Sequence, residues 1–203
     1  MPRDKALLFD AEGGRAGARL YTWSTAWVTL GRSQSPETAL RAGCTLPYSL
    51  RPTGGKAVLH GHDLTIGLAL PLGMLGLPDG SRELKQAYRG VIAPIIAAMA
   101  DAGMGAVLAE ETPFVRSPGK VADCFAHISP NDVVHRETGQ KLCGCALRLT
   151  DRAVLVQASI PVRPPLVDPR EVYERAAQVS GPFGDVDRLR DALADHLGRL
   201  STS

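Results

Sequence analysis

The chain has 203 residues, 44% of them hydrophobic and 22% charged, with a formal net charge of +2. That is enough for one ordinary domain with a full core and too little for two, so a single catalytic domain over residues 1–203 is the expectation. The near-neutral charge leaves no footprint for nucleic acid. No run approaches the ~18 apolar residues of a membrane span, and the first residues carry no signal peptide, so the expectation is a cytoplasmic protein with no membrane partner.

In chain order, residues 4–10 read as a short helix, and ARLYTW and WVTLGR as two extended pieces on either side of Ser24. Trp23 and Trp27 are expected to be core residues. Ser35 with Pro36 starts a short helix over 36–42 that ends at Gly43. Strands follow at 48–51, 57–60 and 63–70, the last with Leu64, Ile66, Leu68 and Leu70 alternating, and the glycine turn is expected at the sheet edge. After a loop over 71–80, Ser81 caps the longest helix, which presents Leu84, Tyr88, Val91, Ile92, Ile95, Ile96 and Met99 on one face. Pro94 is expected to kink it or shift its register, and Gly103 to stop it. An extended piece at 107–110 and a loop over 111–122 lead to a meander of strands at 132–135, 141–150 and 153–161. Asp168 then caps a helix over 169–179, and a last amphipathic helix spans 186–200. Mixed strands with segregated helices argue an α+β fold, a largely antiparallel sheet flanked by helices.

Two segments carry chemistry. In LRPTGGKAVLHGHDLT, residues 50–65, the pair Gly54-Gly55 allows close backbone approach, and Arg51 and Lys56 offer positive charge to an anionic or carbonyl-bearing group. By period two, His60 and His62 are expected on one strand face. In CFAHISPNDVVHRETGQKLCGCALR, residues 124–148, Cys124 follows a loop and Lys141 follows a Gly139-Gln140 turn. On residue type alone Cys124 reads as a buried apolar cysteine, and it becomes a nucleophile only where a cation or base favours its thiolate. Lys141 is the candidate cation, against the plainer reading of a solvated hairpin lysine. Period two also places Cys143 and Cys145 on the face of Lys141, which makes Cys145 a second candidate nucleophile. His127 and His135 read as structural. The four cysteines, Cys44 included, read as free thiols. Cys143-Gly144-Cys145 is a poor zinc signal even with His60, His62 and Asp63 nearby, so no metal is expected.

RPTGGKAVLHGHDLT, the preceding WSTAWVTLGRSQ, and the 124–148 segment followed by VLVQASI together resemble the catalytic domains of the biotin/lipoate protein ligase family, specifically its lipoate-protein ligases and cysteine-dependent octanoyltransferases. The resemblance covers roughly residues 4–165 and leaves the C-terminal helices, about 168–200, outside it. The chain starts at a segment like the interior of that family's first helix, without the strand that usually precedes it. The resemblance implies a mixed sheet holding an acyl group beside an Arg-x-x-Gly-Gly loop. It places Arg51, Thr53, Gly54, Gly55, Ala57, His60, Gly139, Gly144 and Cys145 around the acyl group, and Lys141 at its carbonyl end. One branch carries a cysteine just before a phenylalanine, the position of Cys124. That branch takes octanoyl from a carrier-protein thioester onto the cysteine and passes it to a lysine of a lipoyl domain, without ATP. The implied partners are therefore an acyl carrier protein and a lipoyl-domain acceptor, and the implied substrate is an octanoyl or lipoyl group. The alternatives are a ligase using ATP and magnesium and a non-catalytic acyl- or lipoyl-domain-binding module. Leu50, Lys56, Cys145 and Ala158-Ser159 depart from the usual residues at those places. An apolar tunnel would select chain length, since at ~0.8 kcal/mol per buried methylene an octanoyl chain gains about 5 kcal/mol.

Overall fold

The computed structural model describes residues 2–115, 121–179 and 183–200. Its largest element is a six-stranded antiparallel sheet formed by β1 (Gly17–Tyr21), β5 (Asp63–Pro71), β9 (Ala153–Pro161), β8 (Lys141–Leu149), β7 (Val133–His135) and β6 (Ala106–Leu108), in that spatial order. A smaller sheet has β2 (Trp27–Leu30) at its centre, parallel to β3 (Tyr48–Leu50) and antiparallel to β4 (Val58–His60). With α1 (Pro2–Glu12), α2 (Pro36–Ala39), α3 (Leu84–Asp101), α4 (Pro169–Val172) and α5 (Val186–Leu200) the fold is α+β, as the strand and helix order implied.

Strand alternation divides the large sheet into two faces with different jobs. One face turns Leu64, Ile66, Val156, Ala158 and Ile160 toward Val91, Ile92, Ile95 and Met99 of α3 and Leu189, Leu193 and Leu197 of α5, which forms the main core. On the other face, Leu8 and Ala11 of α1 pack against Ala69, Ala153 and Leu155. Asp4, fully buried there, receives Arg19 at 2.9 Å and the Gln157 amide at 3.0 Å. The small sheet has its own core of Val28, Leu30, Ala57 and Leu59, closed by Val172 and Tyr173.

Several local expectations are corrected by tertiary contacts. The helix expected over 36–42 is a single turn, because Leu40 turns extended and Arg41 N donates to Val172 O at 2.8 Å. Ser35 stands at its N-cap position without a side-chain cap bond. The helix expected over 169–179 also stops after one turn. Asp168 does accept from Arg170 N, but Tyr173 adopts extended backbone and is buried against the small sheet. Burying that ring outweighs weak helix propensity. The long helix α3 begins at Leu84, after Ser81 Oγ has accepted Glu83 N, and runs through Pro94 unbroken. The stretches at 71–80 and 107–110 each contain a short 3-10 turn, Leu72–Leu75 and Ala109–Glu111. Trp23 and Trp27 are half-buried rather than core, stacked with 6.1 Å between ring centroids. No described helix is long and apolar enough to cross a membrane.

The glycine loop closes onto Gly31, just after β2, where an added Cβ would lie 2.0 Å from Gly55 O. No side chain fits in that gap. We predict that Gly31→Ala lowers stability by roughly 1–3 kcal/mol, the usual cost of overpacking, read as a reduced urea midpoint with an unchanged m-value. A midpoint equal to wild type would show that the glycine loop yields freely.

Candidate active site

Arg51 organises the glycine loop. Its guanidinium is 5% exposed and donates to Gly54 O and Lys56 O at 2.6 Å each, to Thr29 O at 3.1 Å, and to Thr53 Oγ1 at 3.1 Å. Thr53 Oγ1 in turn donates to Gln157 Oε1 of β9 at 2.8 Å. The charge expected to meet a ligand is thus largely committed to backbone carbonyls, and it fixes the loop by satisfying acceptors that burial would otherwise leave unpaired. Gly55 completes the turn at φ +83°. Lys56 is likewise engaged, donating to Val121 O at 2.7 Å.

The loop's far end positions the thiol. Ala57 forms a parallel bridge with Asp123: Ala57 N donates to Ala122 O and Cys124 N donates to Ala57 O, each at 2.9 Å. Asp123 is buried and accepts from Phe125 N at 2.9 Å and Ala177 N at 2.7 Å. Cys124 is therefore held through the backbone on both sides. Its Sγ lies where a Cβ on Gly144 would come within 3.1 Å, so glycine leaves the thiol room that a larger residue would crowd.

Lys141 Nζ sits beneath Cys124. It donates to Cys124 O at 2.8 Å and His127 O at 3.0 Å, pairs with Asp132 Oδ2 at 2.9 Å, and contacts Cys124 Sγ at 3.5 Å. Asp132 is anchored by Ser129 N and Oγ, at 2.7 and 3.0 Å. Burial pushes the Cys124 thiol up, Lys141 and Arg51 pull it down, and Asp132 and Asp123 push it up again; the net direction is up. Burial alone would lower Lys141, but Cys124 and Asp132 hold it above the ordinary lysine value. The resting pair is therefore a protonated thiol beside a firmly protonated ammonium.

The second cysteine candidate lies on the other face. A bulge between β7 and β8 sets Val133 opposite Cys143 but Val134 opposite Lys141, which resets the alternation. Beyond it, Gly144, Ser159, Thr65 and Tyr21 form one cross-strand row, and Cys145, Ala158, Ile66 and Leu20 form the next. The second row belongs to the α3 core. Cys145 Sγ lies 3.4 Å from Cys143 Sγ and is packed against the α3 core. The expectation that Lys141, Cys143 and Cys145 share a face is thus corrected by one bulge residue.

The histidines are corrected as well. β4 ends at His60, and Gly61 at φ +110° turns the chain into β5, so no strand face carries both. His60 stacks on Trp23 with 4.4 Å between centroids and bonds Thr29 Oγ1 and Asp63 Oδ2 at 2.8 Å each. Asp63 also accepts from Thr65 and Ser159 hydroxyls at 2.8 and 2.7 Å. Although burial pushes Asp63 up, these partners hold its pKa down to about 2. His62 is 2% exposed, and neither ring nitrogen has a partner among the described residues.

A narrow cleft runs over the first row, beneath the small sheet. Of the expected residues, Cys124, Arg51, His60 and Gly144 line it, together with Tyr21 and Val58, and Cys145 borders it beside Gly144 although its thiol lies in the α3 core. Thr53, Gly54, Gly55 and Ala57 build the wall behind, and Gly139 sits away from it in the β7–β8 turn, where a Cβ would strike Phe114 at 2.3 Å. Sequence reading missed Asp132, Thr29 and Asp123, and weighed Asp63 only as a metal ligand. Asp63 stands beside His62 in the glycine segment, but Asp132 in Asn131-Asp132 carries no signal pointing to Lys141. Among the described residues no group of three His, Cys, Asp or Glu side chains could hold a metal ion.

The profile of the lipoyl protein ligase A/B catalytic domain matches residues 3–199. The chain belongs to that family. It is similar to the octanoyltransferase LipM of Lysinibacillus sphaericus, at 30% identity over 77% of this chain and 58% of the relative, and to LipM of Kyrpidia tusciae, at 28% over 98% and 73%. It thus spans less than two thirds of the former. Among solved structures, the bi-partite lipoate protein ligase of Thermoplasma acidophilum superposes with a TM-score of 0.67 at 19% identity, over 98% of this chain and 78% of that one. Lipoate-protein ligase A bound with ATP gives 0.66 at 20%, over 97% and 77%. These two likenesses show the fold.

Burial pushes His62 below its ordinary pKa. The folded protein therefore keeps it neutral while the unfolded chain protonates near pH 6.5, so stability is lost as pH falls through that value toward the folded pKa. Between pH 7 and 5, His62→Phe should lose less stability than wild type by urea titration. Parallel curves would remove His62 from the acid response.

Proposed function

We propose that the chain is an acyltransferase of protein lipoylation, moving an octanoyl or lipoyl group from a carrier-protein thioester through Cys124 to a lysine of a lipoyl domain. The observation that carries this reading is the placement of Cys124 Sγ over side-chain-free Gly144 at the head of the cleft, 3.5 Å from the Lys141 ammonium. The family and the LipM relatives support it.

In the first step the Cys124 thiol loses its proton as the sulfur attacks the donor carbonyl, with the Lys141 ammonium facing the negative charge on sulfur and then on the oxyanion. The donor's C–S bond breaks and its sulfur leaves as a thiol carrying that proton. One thioester replaces another, so no ATP is needed. In the second step the neutral amine of the acceptor attacks the acyl-enzyme, an amide forms, and Cys124 leaves as a thiol. A protonated resting thiol suits this order, because charge on sulfur develops only when a substrate is present.

The acyl chain would lie along the row from Gly144 through Ser159 and Thr65 to Tyr21, three strand spacings or about 14 Å. The hydroxyls of Ser159 and Thr65 are turned to Asp63, so the expected apolar tunnel becomes a cleft of mixed residues that presents mainly carbon.

Intact mass after incubation with an octanoylated carrier protein, without ATP, should show one octanoyl adduct. It should disappear in Cys124→Ser and persist in Cys145→Ser. Lys141→Ala should slow adduct formation by about 10²–10³, the usual loss for one oxyanion donor. An adduct persisting in Cys124→Ser moves the nucleophile, and lipoyl-domain modification that needs ATP and free acid and survives Cys124→Ser establishes the ligase chemistry instead.

A further inference from the structure

The proposed reaction contains a hazard of its own making. Its intermediate is a thioester, its final acceptor is a lysine amine, and a lysine side chain already lies against the acylated sulfur. Lys141 Nζ is 3.5 Å from Cys124 Sγ, and in the acyl-enzyme the carbonyl carbon is one bond from that sulfur. A neutral amine there would stand within attacking distance. Attack would form the N–C bond, break the C–S bond and return the amine's proton to the leaving sulfur, giving a free Cys124 thiol and an amide on Lys141 that the enzyme has no means of removing.

Only a proton separates Lys141 from the true acceptor, since an ammonium has no lone pair. Burial works against that proton, because desolvation favours the neutral amine. Once Cys124 is acylated its sulfur carries no negative charge to offset the burial. Of the acceptors around Nζ, the carbonyls of Cys124 and His127 are neutral, and Asp132 is the anion in contact among the described residues. Asp123 faces the same pocket, but its carboxylate is bonded to the N–H groups of Phe125 and Ala177. Arg51 faces it too and adds positive charge. Asp132 is itself buried and fixed by Ser129 N and Oγ, so it cannot swing away when the thiol is modified.

We propose that Asp132 is a positioning residue that keeps Lys141 an ammonium through the acyl-enzyme stage and so prevents the enzyme from acylating its own lysine in place of the acceptor. The proposal rests on the Cys124 acyl-enzyme reading. It assigns the ion pair a function at the one stage when the ammonium lies beside a thioester carbonyl.

The test separates thioester from amide. Wild type, Asp132→Asn, Asp132→Ser and Asp132→Glu are acylated with an octanoyl thioester donor in the absence of acceptor, then treated with neutral hydroxylamine, which cleaves the thioester and spares the amide. Intact mass gives the stable fraction, and peptide mapping gives its position. Wild type and Asp132→Glu should be almost wholly hydroxylamine-labile, with the label on Cys124. In Asp132→Asn and Asp132→Ser the stable fraction should rise roughly tenfold or more, because loss of a neighbouring anion moves an amine by a unit or more, and the stable label should map to Lys141. Adding Lys141→Arg to Asp132→Asn should abolish it. The two neutral variants differ in size, so a folding failure in one leaves the other to read.

A stable fraction as low as wild type in a folded neutral variant overturns the proposal, as does stable label on Lys141 in wild type. A merely structural Asp132 would change the amount of folded protein without changing the bond that holds the acyl group. Absence of any Cys124 adduct in wild type is a different outcome, which removes the acyl-enzyme reading and this proposal with it.

Discussion

The site depends on a buried ammonium. An ammonium taken out of water is costly unless each proton finds an acceptor, so burying Lys141 demands a cage, and the segment from Cys124 to Asp132 supplies it through two carbonyls and a carboxylate. That cage draws an otherwise irregular segment against β8 and brings Cys124 Sγ to the floor at Gly144. The thiol's position thus follows from satisfying a neighbouring charge, without any bond made by the thiol's own proton. Burial is the main reason Cys124 stays protonated at rest, and Asp132, which shares the ammonium, pushes the thiol in the same direction.

A second buried cation does comparable work on the opposite wall. Arg51 collects the carbonyls of Thr29, Gly54 and Lys56, so the glycine loop becomes a rigid shelf bound to both sheets. The shelf then offers Ala57 as the backbone edge on which Cys124 is hung. Each cation is committed to backbone carbonyls. This is a natural use for arginine in particular, whose planar fork can bind several carbonyls at once.

Residue type and spacing made much of this legible. The alternation in residues 63–70 and the long apolar stripe of α3 are strong periodic signals, and both elements form with the expected core faces. The glycine pair, Cys124 and Lys141 are also brought to one region. What failed was register. Period two assumes an uninterrupted strand, and it broke at Gly61, which turns the chain between His60 and His62, and at the bulge opposite Lys141, which sends Cys143 and Cys145 to the α3 side. Neither interruption follows from composition. The shortened helices at 36–39 and 169–172 failed for a related reason. They pair with each other through Arg41 and Val172 and bury Tyr173, contacts between segments more than a hundred residues apart. Asp132 was invisible on the same grounds, because its partner is chosen by a loop whose path only the buried charge explains.

In the proposed reading, polar residues line the cleft that would take the acyl chain. Thr29, His60, Thr65 and Ser159 would each be expected to resist an alkyl chain, since an unpaired buried donor costs far more than a methylene returns. Asp63 resolves this by gathering protons. One of its oxygens accepts from His60, Thr65 and Ser159 together, while Trp23 Nε1 donates to Thr65 and Thr29 faces the other ring nitrogen of His60. With their hydrogen bonds directed away, these side chains offer ring faces and carbon to the cleft. The selectivity of such a wall belongs to the network as a unit, because removing one partner would release a donor toward the chain instead of enlarging an apolar space. The low pKa of Asp63 has the same origin: against the upward push of burial, a carboxylate that three donors converge on keeps its charge.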